Sequence, residues 1–140
     1  MKVIEDALRD NGKYICKTEG NSMEPMLRQG RDRVVIIPPV FPLKKHDIPV
    51  YRRGDHYTMH RIIKVKKGGR YVICGDNRPD FEYDITEEKV IGVLAGYMRG
   101  DEYIDLKDEK YQRYVKRLGR KYPIRCAKYF LYRVKRKLGM

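Results

Sequence analysis

The sequence contains no tryptophan, little cysteine and no long hydrophobic run. Its three cysteines, Cys16, Cys74 and Cys126, form no CxxC pair, and an odd number in a chain without an export signal is typical of reduced thiols. The longest uncharged stretch, residues 34–43, has only 10 residues, whereas a membrane-spanning helix needs about 20. The N-terminus turns acidic at Glu5 and lacks the apolar segment of a secretory signal. We therefore expect no disulfide, no transmembrane helix and a cytoplasmic location.

The net charge of +13 is unevenly distributed. Residues 110–140 carry 12 Lys and Arg and no Asp or Glu, which leaves 20 basic and 19 acidic residues in the other 109. A length of 140 residues is typical of one compact domain. The sequence thus predicts a nearly neutral domain over 1–107 and a basic helical tail over 108–140.

The hydrophobic pattern predicts a mainly β fold. Residues 2–11 have helical spacing, and later runs rich in Val, Ile and Tyr alternate with Gly, Pro and Asp clusters, which indicates a small closed or sandwiched antiparallel sheet. The predicted strands are 14–17, 33–37, 47–51, 57–66, 70–74, 90–97 and 102–106. Lys67-Gly68-Gly69 predicts a hairpin that pairs the strand containing His60 with the one ending before Gly75.

Helical spacing returns after Asp108, and Gly119 and Pro123 are expected to divide the tail into two helices. The first is expected to dock on the domain and the second to be mobile or bound to a partner. Twelve cations with interspersed aromatic and aliphatic residues suit an anionic membrane surface, and nucleic acid is the less favoured partner. A merely solvated basic face is the alternative.

The segment Gly20-Asn21-Ser22-Met23-Glu24-Pro25 places a serine on a glycine-bracketed turn that leads into one helical turn and a strand. Taken alone, an ordinary helix cap is the favoured interpretation of Ser22. A serine nucleophile needs a positioned base to take its proton.

Three histidines are available as that base. His46 and His56 lie in charged, turn-like contexts that predict exposed surface positions. His60 lies within a predicted strand, and strand alternation places it on one face with Thr58 and Ile62. Alone, it is more typical of a structural histidine than of a base.

Gly75-Asp76-Asn77 ends the strand that pairs with the His60 strand. An ordinary β-turn explains it, but a carboxylate there can also orient the imidazole and stabilise the imidazolium. Spacing does not decide which acid does so among Asp76 and the acidic residues that follow it, Asp80, Glu82 and Asp84.

Four motifs occur in an order that resembles the signal-peptidase and LexA-repressor superfamily of serine peptidases, over residues 14–98. They are Gly-x-Ser-Met-x-Pro, His-Arg-Ile-Ile, Gly-Asp-Asn and Ile91-Gly92-Val93. The resemblance implies that Ser22 is the nucleophile. It implies that His60 is the general base, as in the archaeal and endoplasmic-reticulum signal peptidases, where histidine replaces lysine. It also implies a carboxylate partner at Asp76 or Glu82 and an oxyanion hole at the Ser22 backbone N–H, assisted by Asn21.

Two features of that superfamily have no counterpart in the sequence: an N-terminal membrane anchor and a helix-turn-helix before Gly20. The leading hypothesis is therefore a serine endopeptidase that cleaves a peptide or protein precursor through an acyl-enzyme on Ser22. The alternative is a non-catalytic peptidase-like scaffold whose basic tail binds an anionic membrane or nucleic acid. His56 and His60 lie about 13 Å apart along a strand, too far to share one ion, and no metal or cofactor is expected.

Overall fold

A computed structural model describes residues 3–78 and 80–139, apart from the side chains of Asp84, Tyr122 and Cys126. In this described part, nine strands form two antiparallel sheets and contain 36% of the residues. The mainly β fold predicted from the sequence is confirmed. No helix in the described part is long and apolar enough to cross a membrane.

The larger sheet has six strands in the order β1-β2-β8-β3-β4, with β9 also paired to β8. Its long strand β8 can pair with three others because it has 10 residues. The strands of this sheet are β1 (Tyr14–Lys17), β2 (Asp32–Ile37), β3 (Pro49–Arg53), β4 (His56–Met59), β8 (Val90–Arg99) and β9 (Glu102–Asp105).

The smaller sheet has the order β5-β6-β7, from β5 (Arg61–Lys66), β6 (Arg70–Cys74) and β7 (Glu82–Thr86), and a short 3-10 helix, Glu87–Lys89, follows it. The predicted hairpin between β5 and β6 is confirmed. Its glycines have φ values of 79° at Gly68 and 69° at Gly69, the left-handed backbone that a tight hairpin turn requires and that glycine adopts without a steric penalty.

The prediction of one strand through residues 57–66 is wrong. The chain leaves the larger sheet at Met59 and enters the smaller one at Arg61, so His60 lies between β4 and β5. The register also shifts between Ile62 and Lys64. A single alternating pattern through residues 57–66 therefore predicts the wrong burial. Ile62, which that pattern places on the face of His60, is fully buried, whereas Val65 is exposed.

Three helices complete the fold: α1 (Val3–Asn11), α2 (Glu109–Arg120) and α3 (Tyr122–Lys137). As expected, the tail divides into two helices and the first packs on the sheets. Asp108 caps α2 by accepting the Lys110 N–H at 2.9 Å. The buried side chains of α2 are Tyr111, Val115 and Leu118, and the first two belong to the main core with Ile4 and Leu8 of α1.

A buried carboxylate fixes the loop that leads from the Ser22 turn into β2. Asp32 is 2% exposed and accepts hydrogen bonds from the Arg28 N–H at 2.9 Å, Arg31 Nε at 3.0 Å and Arg99 Nε at 2.9 Å. Burial raises the pKa of Asp32, but these donors outweigh it and hold the pKa below the ordinary value of 3.8. The carboxylate therefore stabilises the fold in its charged form.

We predict that Asp32→Asn lowers the free energy of unfolding at neutral pH by about 1–3 kcal/mol, because it removes charge-assisted hydrogen bonds from a buried site. The folded-state pKa lies below the unfolded one, so this stabilisation is present above pH 3.8 and is lost as the pH falls through the folded value. Urea unfolding from pH 7 to pH 3 should show the gap between the two proteins narrowing. Asp10→Asn, on an exposed residue of α1, should cost less than about 0.5 kcal/mol, and a gap independent of pH would contradict the assignment.

Candidate active site

Ser22 is the only serine in the chain. The turn that carries it is held by backbone hydrogen bonds within the segment and by side chains buried in the core. The Glu24 N–H donates to the Asn21 carbonyl at 3.2 Å and the Leu27 N–H to the Met23 carbonyl at 3.0 Å. Met23 and Leu27 are 3% and 0% exposed, so the turn is anchored in the core. Ser22 itself is half-buried.

The Gly-Asp-Asn segment holds this turn from the outside. The Asn77 N–H donates to the Ser22 carbonyl at 2.8 Å, and Asn77 Nδ2 donates to the Asn21 carbonyl at 3.1 Å. A Cβ on Gly75 would lie 2.7 Å from the Ser22 carbonyl oxygen, closer than any side chain allows. The segment is also a β-turn, since the Arg78 N–H donates to the Gly75 carbonyl at 3.0 Å. The turn therefore positions the backbone of Ser22.

Asp76 forms an ion pair with Arg61, the residue after His60. Arg61 Nε lies 2.9 Å from Asp76 Oδ1 and Nη2 lies 2.9 Å from Oδ2, and neither side chain is exposed. Asp76 Oδ2 also accepts the Tyr114 hydroxyl at 2.7 Å, and Arg61 donates to the Tyr111 hydroxyl at 2.6 Å. Burial lowers the pKa of Arg61, but the Asp76 carboxylate outweighs it and keeps that pKa above its ordinary value. This network joins the two loops of the site to α2.

His60 has a different carboxylate partner, Glu82 at the start of β7. Its Nδ1 lies 3.1 Å from Glu82 Oε1. The same oxygen accepts the Tyr51 hydroxyl at 2.7 Å, and Arg53 Nη1 lies 3.7 Å away. Burial raises the pKa of Glu82, but the hydrogen bonds from His60 and Tyr51 and the charge of Arg53 outweigh it, so the pKa is lowered. Glu82 is therefore ionised beside the imidazole.

Ser22 and His60 line one cleft of about 930 Å³ between β1 and β4. No hydrogen bond joins the two side chains in the described part of the chain, which is common in substrate-free sites, where catalytic hydrogen bonds tighten on binding. Within that same part, the Ser22 N–H has no hydrogen-bond partner. Asn21 is exposed beside it.

The structure thus separates three of the four acids that spacing left open. Glu82 contacts His60, Asp76 contacts Arg61, and Asp80 is an exposed residue on the cleft. The side chain of Asp84 lies outside the described part. The sequence analysis missed β7 because Glu82–Thr86 is an acidic stretch with one buried residue, Ile85.

Four supporting residues were also missed: Tyr51, Arg61, Tyr111 and Tyr114. Arg61 is part of the His-Arg-Ile-Ile motif, so its position next to His60 was a usable signal. Tyr51 donates to Glu82, Tyr111 accepts from Arg61 and Tyr114 donates to Asp76. These contacts form only through the tertiary fold, and no local pattern distinguishes the three tyrosines from the other nine in the chain.

Other nucleophiles and metal chemistry have less support. Burial and Glu19 raise the pKa of the Cys16 thiol in the cleft, and burial raises that of Cys74 to about 12, so neither is a thiolate at neutral pH. The side chain of Cys126 lies outside the described part. Among the residues described, no group of three or more His, Cys, Asp or Glu side chains is placed to hold a metal ion.

Comparison with known proteins identifies a family. A family model described as Peptidase S24-like matches residues 1–95. The match begins before α1, includes Ser22, His60 and both carboxylates, and ends inside β8, so α2 and α3 lie outside it. A search of curated proteins finds no match.

We predict that Asp76→Asn lowers the free energy of unfolding by about 3–5 kcal/mol, because it leaves the Arg61 charge buried without its counter-ion. Asp80→Asn, the same change on an exposed residue of the same loop, should stay within about 0.5 kcal/mol of wild type. Chemical denaturation of the three proteins measures both values. Equal stability of the Asp76 and Asp80 variants would show that the ion pair does not hold the site together.

We also predict that Gly75→Ala costs about 1–3 kcal/mol, because the new methyl group meets the backbone of Ser22. A suitable control is Gly119→Ala in α2, where a Cβ meets no atom within 4 Å and alanine favours the helix by up to about 1 kcal/mol. Thermal unfolding should therefore move in opposite directions for the two variants. A Gly75 variant as stable as wild type would refute the close approach of these loops.

Proposed function

The chain belongs to the Peptidase S24-like family, and we propose that it is a serine endopeptidase with Ser22 as nucleophile, His60 as general base and Glu82 as the carboxylate that positions His60. The observation that carries the proposal is the hydrogen bond of 3.1 Å between His60 Nδ1 and Glu82 Oε1 beside the cleft that contains Ser22. A serine, an imidazole and an ionised carboxylate together form one of the sets of groups that can carry out acyl transfer.

The contact with Glu82 determines how the imidazole works. When Nδ1–H donates to the carboxylate, Nε2 of the neutral ring is unprotonated and available as the base. The carboxylate then stabilises the imidazolium that forms when Ser22 gives up its proton. Burial and the adjacent Glu82 raise the pKa of Tyr51, so its hydroxyl remains a donor that fixes the carboxylate.

The proposed reaction follows from these positions. Ser22 Oγ attacks the carbonyl carbon of the scissile bond as His60 takes its proton, and the Ser22 N–H donates to the developing oxyanion. His60 then protonates the leaving amine as the C–N bond breaks, which leaves an acyl-enzyme ester on Ser22. A water molecule, deprotonated by His60, then attacks this ester, and His60 returns the proton to Ser22 Oγ as the acyl–oxygen bond breaks and the second product leaves.

An extended peptide segment is the substrate class that the cleft favours. β1 and β4 are the two outer strands of the sheet path, and residues of both line the cleft. Outer strands offer unpaired backbone N–H and C=O groups that an extended peptide can pair with. Met59, which is partly exposed on β4, contributes flexible apolar surface for its side chains.

We predict that a serine-reactive phosphonate labels Ser22 and that Ser22→Ala abolishes labelling, since no other serine is present. Removal of the base in His60→Ala should slow labelling by about 10²–10⁴-fold. Glu82→Gln should slow it less, because the base remains but is no longer oriented by a charge. Mass spectrometry of the modified peptide gives the site and the rate.

His56→Ala is the matched control, because His56 lines the same cleft and is exposed. It should label at the wild-type rate. Circular dichroism establishes that each variant is folded. Equal labelling of the His60 and His56 variants would rule out His60 as the base. A folded wild type that does not label would favour the non-catalytic scaffold.

A further inference from the structure

The helix α3 is attached to the domain by its polar side. Arg125 Nη2 donates to the Gly75 carbonyl at 2.7 Å and lies 3.0 Å from Cys74 Sγ. One helical turn later, the Tyr129 ring stacks on Phe81 with ring centroids 4.7 Å apart. These contacts fix which face of the helix points toward the sheets.

The apolar side of α3 consequently points into solvent. At about 100° per residue, its apolar side chains share one face, which lies roughly opposite Arg125 and Tyr129. They are exposed despite their size: Phe130 67%, Leu138 64%, Ile124 58%, Leu131 55% and Val134 37%. An amphipathic helix in a water-soluble domain normally buries this face, as α2 does with Tyr111, Val115 and Leu118.

Basic residues border this apolar face on both sides. Lys128 and Lys135 lie along one edge, and Arg133 and Lys137 along the other. The sequence from 110 to 140 contains no acidic residue to offset them. A helix with aliphatic and aromatic residues on one face and cations at its margins suits the boundary between lipid headgroups and acyl chains.

We infer that α3 is a docking surface for an anionic lipid bilayer. Charge complementarity favours an anionic bilayer as the partner. Its headgroups pair with the cations at the margins of the face, and its acyl region contacts Phe130, Leu131 and their neighbours. A second copy of the chain would bring an equally basic surface into contact, which is repulsive. Nucleic acid pairs with the cations but leaves the aliphatic side chains in water. The inference does not depend on the proposed peptidase activity, and it narrows the predicted membrane contact from residues 110–140 to α3.

Co-sedimentation of the full chain with vesicles tests the inference. Vesicles of phosphatidylcholine alone are compared with vesicles of equal parts phosphatidylcholine and phosphatidylglycerol. We expect binding to the anionic vesicles only, and weaker binding as salt screens the charges. Phe130→Ser/Leu131→Ser, which leaves the net charge unchanged, should weaken that binding at least tenfold.

Two matched controls separate the contributions of the helix from those of overall composition. Val40→Ser/Phe41→Ser removes exposed apolar residues elsewhere, at positions that are 82% and 39% exposed, and should bind as wild type does. Lys128→Gln/Lys135→Gln should weaken binding, whereas Lys64→Gln/Lys67→Gln, on exposed residues of the β5–β6 hairpin, should not. Equal binding by the α3 variants and their controls would overturn the inference.

A fluorescence measurement keeps the test valid if the serine variant loses its helix. Because the chain lacks tryptophan, Leu131→Trp introduces a single reporter on the apolar face. Its emission should shift to shorter wavelength with anionic vesicles, and that of Val40→Trp should not. An unshifted Leu131→Trp would refute insertion. Self-association through Phe130 without vesicle binding, or binding of a DNA oligonucleotide without vesicle binding, would assign the surface to another partner.

Discussion

The buried ion pair of Arg61 and Asp76 is the interaction on which the site depends. A buried guanidinium without a counter-ion costs several kcal/mol, so the two loops that carry these residues must meet in one geometry. Arg61 follows His60 directly, and Asp76 lies between the residues that hold the Ser22 turn, Gly75 and Asn77. The position of Ser22 relative to His60 is thus set by an ion pair that includes neither residue. The bidentate contact between Arg61 and Asp76 fixes an orientation, whereas apolar packing at the same place would not.

Two carboxylates only six positions apart have different partners, because the fold places them in different surroundings. Asp76 is enclosed by Arg61 and Tyr114, and its charge is fully used in fixing the loops. Glu82 shares one oxygen between His60 and Tyr51, so in the proposed mechanism its charge stabilises the imidazolium. The Gly-Asp-Asn motif therefore does not supply the carboxylate that contacts His60. Strand β7, which follows the motif, brings Glu82 to the imidazole.

The sequence predicted what local patterns determine. The ends of β1 and β6, the hairpin at Gly68 and Gly69 and the break between the tail helices all follow from alternation or from backbone preferences. The break at His60 could not be predicted this way, because both flanking segments have strand composition and only the sheet assignment separates them. The choice of Glu82 over Asp76 likewise depends on the pairing of β7 with β6, a long-range contact. The family resemblance identified Ser22 and His60 as candidate site residues. The tertiary structure identified the residues that contact each of them.

The two tail helices show why composition alone is insufficient. Both are basic and amphipathic, and composition assigns a binding role to residues 110–140 as a whole, yet the apolar face of α2 is buried and that of α3 is exposed. The apolar side chains of α2 complete the core behind Arg61. Although α2 lies outside the family match, it therefore stabilises the site through Tyr111 and Tyr114. The hydrophobic side chains of α3 remain in water. Burial of that surface would contribute about 25 cal/mol of favourable free energy per Å². Docking through Arg125 and Tyr129 keeps that face outward. Contact with an external apolar surface would recover this free energy, and the surrounding cations support the proposed anionic bilayer.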